Sequence, residues 1–191
     1  LAMSMFYFSG DLKGRAPLPL RLLYGGGIIL FPAVLHAQAL GQLFSMLIGG
    51  PQGQPMANAL HALAWPWLAL TAAVVVWHLK RHPVAAWETL GVAAALTLLP
   101  PILGFTLYFC LMHSARHVLR TKQFAQASWP SLLWIAAGPV IGTLALGYWG
   151  WQGLAESGLT AKIVQIVFVG LAALTVPHMA LVERVRWHET G

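Results

Sequence analysis

The chain has 191 residues, of which 58% are hydrophobic and only 8% are charged. Because soluble domains carry roughly 25% charged residues, this composition excludes an ordinary soluble protein and predicts an integral membrane protein. The single cysteine, Cys110, excludes an internal disulfide and a cysteine-rich metal site. The net charge of +6 does not indicate nucleic-acid binding, since the basic residues fall at the ends of apolar segments.

Apolar segments alternate with short polar connections, which predicts an all-α, polytopic transmembrane helical bundle. The first segment, 1–9, is interpreted as the tail of a truncated helix, because the chain opens inside an apolar run without an initiator methionine. About six further spans are predicted, at 21–48, 56–79, 84–99, 102–121, 129–151 and 160–183. We therefore predict one integral membrane domain over 1–191, a fragment that lacks N-terminal helices.

The second segment is irregular in its residue pattern. Three consecutive glycines at 25–27 and Pro32 weaken a regular helix, so we expect a kink or break near Pro32. Lysine and arginine concentrate in alternate connections, namely 10–21, 80–83, 116–122 and the tail after 183. By the positive-inside rule these connections and the C-terminus are predicted to be cytoplasmic, in the cell (inner) membrane.

Two histidines four residues apart, His113 and His117, lie near the end of the fifth segment. Residues at this spacing share one face of a helix, so two imidazoles can hold one metal ion. His113 is about 10 Å from Arg120 along the helix axis, within apolar surroundings, where an ionisable residue indicates a functional site. The alternative is that each histidine only hydrogen-bonds a neighbouring helix.

Topology brings His178 to a similar depth, roughly 7–8 Å inside the same boundary. It follows Pro177, which removes a backbone donor, so His178 could equally satisfy local backbone groups. The remaining histidines lie at other depths or beside basic segment ends. We predict a metal cluster of His113, His117 and His178, with His113 and His117 as the catalytic pair.

Other residues near this depth are candidates for supporting roles. Glu88 opens a helix where its carboxylate could orient a ligating histidine from outside the coordination sphere, although an exposed N-terminal glutamate is an equal alternative. Phe105, Tyr108 and Phe109 precede His113 and could line an apolar slot for a long hydrophobic substrate, or simply face lipid. Imidazole ligands without cysteine suit oxygen-activating non-haem iron or zinc.

The motifs resemble a known family. The stretch from Tyr108 to His117 reads YFCLMHSARH and resembles the His-Ser-x-Arg-His motif of the Brp/Blh-type (bacteriorhodopsin-related protein) β-carotene 15,15′-dioxygenases. A second signature, Thr-x-Pro-His-Met, ends at Met179, and the spacing from Glu88 to His113 is also similar. The resemblance is strongest from Glu88 to Glu183.

This resemblance implies a membrane enzyme that uses non-haem Fe²⁺ and molecular oxygen. Its members cleave β-carotene at the central 15,15′ double bond into two retinal molecules, often for a rhodopsin. The resemblance implies iron ligation by His113 and His117 together with histidines nearer the N-terminus. One family motif, Pro-His-Gly-Ala-x-Asp, is absent, and the His-Phe…Asp motif reads Tyr7-Phe8…Asp11. Tyr7 is not carried over as a ligand, and activity of the fragment is therefore in question.

Two alternatives remain at this point. Di-iron desaturases and hydroxylases also use His-x-x-x-His, but they need about eight histidines in several boxes, whereas this chain has one such pair in a suitable position. A non-catalytic helical membrane protein that binds carotenoid or haem is the other alternative. A strong Soret band on purification would identify a haem protein.

Overall fold

A computed structural model describes residues 2–125 and 128–153, together with 163, 164, 166 and 168. Helices predominate, and no strand occurs in these described ranges. The chain divides into two compact units, the first comprising 1–45 and 50–126 and the second 46–49 and 127–191. The helices are α1 (Ala2–Ser9), α2 (Leu18–Ile48), α3 (Gly53–His78), α4 (Pro83–Leu98), α5 (Pro101–Leu107), α6 (Ala115–Ala125) and α7 (Trp129–Gly153).

Three helical stretches of the described part are long and apolar enough to cross a membrane, namely Leu18–Ile48, Gly53–His78 and Pro101–Arg120. The predicted span 84–99 is α4, whose 16 residues give a length of about 24 Å, short of the roughly 30 Å hydrocarbon core. Helix α7 covers the predicted span 129–151. The predicted span 160–183 falls almost wholly outside the described residues, so the number six stays a prediction.

Prolines set where two of the helices begin. Pro83 and Pro101 occupy the first turns of α4 and α5, where the missing N–H has no intrahelical partner to lose. Leu99, which precedes Pro100, is extended, as the steric demand of a following proline favours. Helix α5 therefore starts immediately after α4 ends, and α4 packs against α3, α5 and the segment that follows α5.

Helix α2 is broken, as its sequence predicted, but the break lies one turn beyond Pro32. His36 has φ −122° and ψ 31°, which is not helical. The carbonyl of Ala33, near this break, accepts a hydrogen bond from Nδ1 of His61 in α3 at 2.6 Å. His61 therefore stabilises an irregular stretch of backbone by bridging two helices, which explains a polar ring in an apolar span.

The glycine run in α2 serves close packing within the first unit. A Cβ on Gly25 would collide with the carbonyl of Met5 and the backbone of Ser9, so α1 lies directly against α2 at this point. Small residues allow such close approach of helices in membrane proteins. The core of this unit draws on α1 to α4, on the turn after α1 and on the segment after α5, and includes Phe8, Leu12, Leu20, Tyr24, Ile28, Phe31, Val75, Ala86, Val92, Leu96 and Tyr108.

Candidate metal centre

The stretch Tyr108–Ser114 between α5 and α6 is π-helical, so the helix from Pro101 to Ala125 is continuous but locally wider. In an α-helix, residues five apart point about 140° away from each other. A π-helix bonds i to i+5, which brings residues five apart onto nearly the same side. The π-helical segment therefore places Tyr108 and His113 on one face, and His117 follows one turn later.

His113 and His117 lie side by side, with ring centroids 4.6 Å apart. A third residue meets them from a distant part of the chain: Asp11, in the 3₁₀ turn Gly10–Leu12 between α1 and α2. Each of the three residues offers one ligand atom, and all three atoms lie within 4.8 Å of one another. Asp11 and His113 are buried and His117 is half-buried. The group can therefore surround a single metal ion.

Asp11 is fixed by several contacts to the helix that carries the histidines. Nδ1 of His113 donates to both carboxylate oxygens of Asp11, at 3.0 and 3.1 Å, and the hydroxyl of Tyr108 donates to Oδ2 at 2.7 Å. Arg120 donates from Nη2 to the backbone oxygen of Asp11 at 3.0 Å. Contacts at positions 108, 113 and 120 thus hold the segment Gly10–Leu12 against a stretch of helix that is more than three turns long.

The charge state of Asp11 follows from these contacts. Burial alone raises the pKa of its carboxyl, but the hydrogen bond and charge of His113 lower it, as do the Tyr108 hydroxyl and the charge of Arg116. The net result is a pKa below the ordinary value for aspartate. Asp11 is therefore a carboxylate at neutral pH, available both as a hydrogen-bond acceptor and as a negative group beside a cation.

The other side of His113 faces aromatic rings. The hydroxyl of Tyr7 lies 3.1 Å from Nε2 of His113, and the ring of Phe8 stands edge-on to the imidazole at a centroid distance of 5.3 Å. Phe109 lies 5.2 Å from His113 on the same helix and stacks on Phe105 at 5.7 Å. The cluster is thus enclosed by apolar surfaces, which strengthen electrostatic interactions inside it.

The structure gives Glu88 a different partner from the predicted one. Its carboxylate forms an ion pair with the guanidinium of Arg116, at 2.5 Å from Oε1 to Nη2. In the sequence, Arg116 lies between the two histidines. Both side chains are largely buried, 9% and 15% exposed, so Glu88 is not the exposed helix-start residue of the alternative interpretation. The carboxylate that touches a histidine is Asp11.

The remaining predicted residues divide by position. Phe105 and Phe109 are partly buried against the core, and their role in lining a substrate slot stays a prediction. Tyr108 is buried and its hydroxyl donates a hydrogen bond to Asp11. Its observed contact is therefore with this carboxylate, whereas the sequence predicted that it would line a substrate slot. His178 lies outside the described residues.

Sequence reasoning left Asp11 and Tyr7 out of the site. Asp11 had one available signal, its place in the stretch that resembles the family's His-Phe…Asp motif. The contact itself joins residues 102 positions apart, which no local pattern reveals.

Two imidazoles with a carboxylate beside them form a grouping that is typical of non-haem iron oxygenases. The fold and this cluster together define a helical protein with three stretches that are apolar enough to cross a membrane and with a candidate metal centre.

Comparison with known proteins agrees. The family model described as beta-carotene 15,15′-dioxygenase matches residues 1–186, so the chain belongs to this family of carotenoid-cleaving oxidoreductases, and the resemblance drawn from the motifs is confirmed.

Two curated relatives carry the same description. The beta-carotene 15,15′-dioxygenase of the uncultured marine bacterium 66A03 is 26% identical over 195 residues, covering 96% of this chain and 69% of that protein. The probable beta-carotene 15,15′-dioxygenase Blh of Halobacterium salinarum is 28% identical over 164 residues, covering 73% of this chain and 47% of that protein. This chain thus spans about two thirds of one relative and about half of the other. No solved structure matches.

Proposed function

We propose that this chain forms the metal-binding part of a membrane non-haem iron dioxygenase that cleaves β-carotene at its central 15,15′ double bond into two retinal molecules. The observation that carries the proposal is the cluster of Asp11, His113 and His117 in a chain of this family. Iron bound there would supply the activation of dioxygen that polyene cleavage requires. The sequence motif adds His178 as a further proposed ligand.

The donor set suits ferrous iron and catalytic zinc, whereas magnesium and calcium favour oxygen ligands alone. Zinc has no redox chemistry, so an oxygen-dependent cleavage favours iron. The imidazoles of His113 and His117 would hold non-haem Fe(II), and the bound iron would supply the redox chemistry that activates dioxygen. The Asp11 carboxylate offsets part of the charge of the ion, which lowers the cost of placing a divalent cation within a buried site.

The surroundings suit a long apolar substrate. Phe105 and Phe109 form a stacked pair one to two turns before His113, and Phe109 reaches to within 5.2 Å of that ring, centroid to centroid. We propose that these two aromatic rings orient the polyene beside the metal and keep water away. Each half of the cleaved double bond receives one oxygen atom of O₂ and leaves as an aldehyde.

We propose that the chain is a multi-pass protein of the cell membrane with its basic connections and C-terminus on the cytoplasmic side. The exposed surfaces of α3 are rich in large apolar side chains, among them Trp65, Leu70, Val76 and Trp77, which suits contact with the acyl chains of a bilayer. A hydrophobic substrate dissolved in that bilayer would reach the site laterally. A retinal-binding rhodopsin is the proposed recipient of the product.

The test is expression of the protein in cells that accumulate β-carotene. We expect loss of colour and formation of retinal, measured by chromatography of extracted pigments. His113→Ala and His117→Ala should abolish retinal formation while the protein is still inserted at normal levels. His82→Ala, a histidine just before α4, serves as the matched control and should retain activity.

Two results would reject the proposal. If β-carotene is unchanged while the protein is abundant and inserted in the membrane, the proposed cleavage activity is wrong. Full retinal formation by either the His113 or the His117 variant would remove that residue from the metal site.

A further inference from the structure

The hydrogen bonds at His113 define which of its ring nitrogens faces a metal. A carboxylate can only accept hydrogen bonds, so Nδ1, which lies 3.0 Å from Asp11, carries the ring proton. A neutral imidazole with its proton on Nδ1 has its lone pair on Nε2. Nε2 is therefore the nitrogen that His113 can offer as a ligand.

The carboxylate that selects this tautomer is itself restrained. Oδ2 of Asp11 accepts from the Tyr108 hydroxyl at 2.7 Å, and both oxygens accept from His113. All three residues are closed to water, with exposed fractions of 1% for Asp11 and 3% for Tyr108 and His113. A buried, short hydrogen bond to a charged acceptor is among the stronger ones in proteins.

We propose that Asp11 and Tyr108 are positioning residues of the metal centre: Tyr108 holds the Asp11 carboxylate, and Asp11 holds the His113 ring with Nε2 toward the metal. This inference deepens the proposed function and rests on it. Asp11 then acts on the metal through His113, as carboxylates beside ligating histidines do, rather than as a ligand itself.

The π-helical segment is what makes this relay possible. With regular α-helical geometry, Tyr108 would point about 140° away from His113, and the two side chains could not meet on one carboxylate. The wider turn brings both to Asp11. The π-helical turn thus helps to orient a metal ligand. Such turns occur frequently at functional sites.

Tyr108→Phe tests the relay, because it removes one hydroxyl and keeps the ring. Tyr24→Phe is the matched control: Tyr24 is also fully buried and its ring lies 6.2 Å from that of Tyr108, but Asp11 and His113 form their hydrogen bonds with other groups. We expect Tyr108→Phe to weaken binding of Co²⁺ or Fe²⁺ to the purified protein by about 10- to 100-fold. Tyr24→Phe should bind like the wild type.

Spectra separate positioning from ligation. With saturating Co²⁺, Asp11→Asn and Tyr108→Phe should both show the wild-type visible spectrum at reduced affinity, because neither change removes a ligand. Nitrogen NMR of the metal-free protein should show His113 protonated on Nδ1 in the wild type and a mixture of tautomers in Tyr108→Phe. The NMR measurement applies even where metal affinity is too low to measure.

Each outcome has a definite reading. Wild-type affinity in Tyr108→Phe, or equal losses in the two tyrosine variants, would overturn the relay while leaving the metal site intact. A changed Co²⁺ spectrum in Asp11→Asn would make Asp11 a ligand and overturn the positioning role. A wild-type protein that binds neither metal would overturn the proposed function itself.

Discussion

Tyr7 occupies the position that a metal on His113 would need. Its hydroxyl lies 3.1 Å from Nε2, and since that nitrogen bears the lone pair, Tyr7 donates the hydrogen bond. The family motif has histidine where this chain has tyrosine. A metal that binds Nε2 must displace the phenol, so Tyr7→Phe is expected to strengthen metal binding.

The magnitude follows from the hydrogen bond that is lost. A typical intramolecular hydrogen bond contributes about 0.5–1.5 kcal/mol. Because each 1.4 kcal/mol is tenfold in an equilibrium constant, Tyr7→Phe should lower the Kd for Co²⁺ by roughly two- to tenfold. The Tyr7 ring also contacts Phe8 and is partly buried, and phenylalanine preserves both features.

The assay is titration of the purified protein with Co²⁺, followed in its visible spectrum, with Tyr24→Phe as the control for loss of a buried hydroxyl. An affinity that falls in Tyr7→Phe would refute the reasoning, because it would identify the phenol as a ligand and not a competitor. Tyr7→His extends the test: an imidazole at this position should raise affinity further than phenylalanine does.

Three other changes test the packing around the site. Glu88→Gln leaves the buried guanidinium of Arg116 without the carboxylate that pairs with it. The free energy of unfolding, measured in detergent, should fall by about 3–5 kcal/mol. A loss under about 1 kcal/mol would show that the pair is solvated. His61→Phe removes the hydrogen bond to the Ala33 carbonyl and should cost about 1–3 kcal/mol in the same denaturation assay, with metal affinity unchanged; a loss of metal binding would contradict a purely structural role. Gly25→Ala should lower both the melting temperature and metal affinity, since its methyl group displaces α1, which leads into the turn that carries Asp11. Normal metal binding by this variant would show that the turn is positioned independently of α1.

The sequence was sufficient for the features that depend on local pattern. Apolar length predicted the spans that became α2, α3 and the helix from Pro101, and the spacing of His113 and His117 predicted neighbouring rings. The predicted starts of the spans at 84 and 102 lie within one residue of the starts of α4 and α5. Each of these follows from interactions within a few residues.

The features that escaped prediction depend on contacts between distant segments. Asp11 reaches His113 only because α1 and α2 pack closely enough to bring their connecting turn to the helix. The π-helical turn at Tyr108–Ser114 has no recognisable sequence pattern. Tyr108 was therefore predicted to line the substrate slot, and its hydrogen bond to Asp11 was not predicted. Glu88 was predicted to reach the histidine cluster, but its carboxylate pairs with Arg116 of another helix, and charge alone did not select between that arginine and a histidine.

The measurement that bears most directly on the account is the electron paramagnetic resonance spectrum of the protein loaded with Fe²⁺ and exposed to nitric oxide in the absence of oxygen. Non-haem ferrous iron with an open coordination position should give the high-spin signal of an iron–nitrosyl adduct in the wild type, and His113→Ala with His117→Ala should abolish it. An adduct of undiminished intensity in that double variant would contradict a metal centre built on these two histidines.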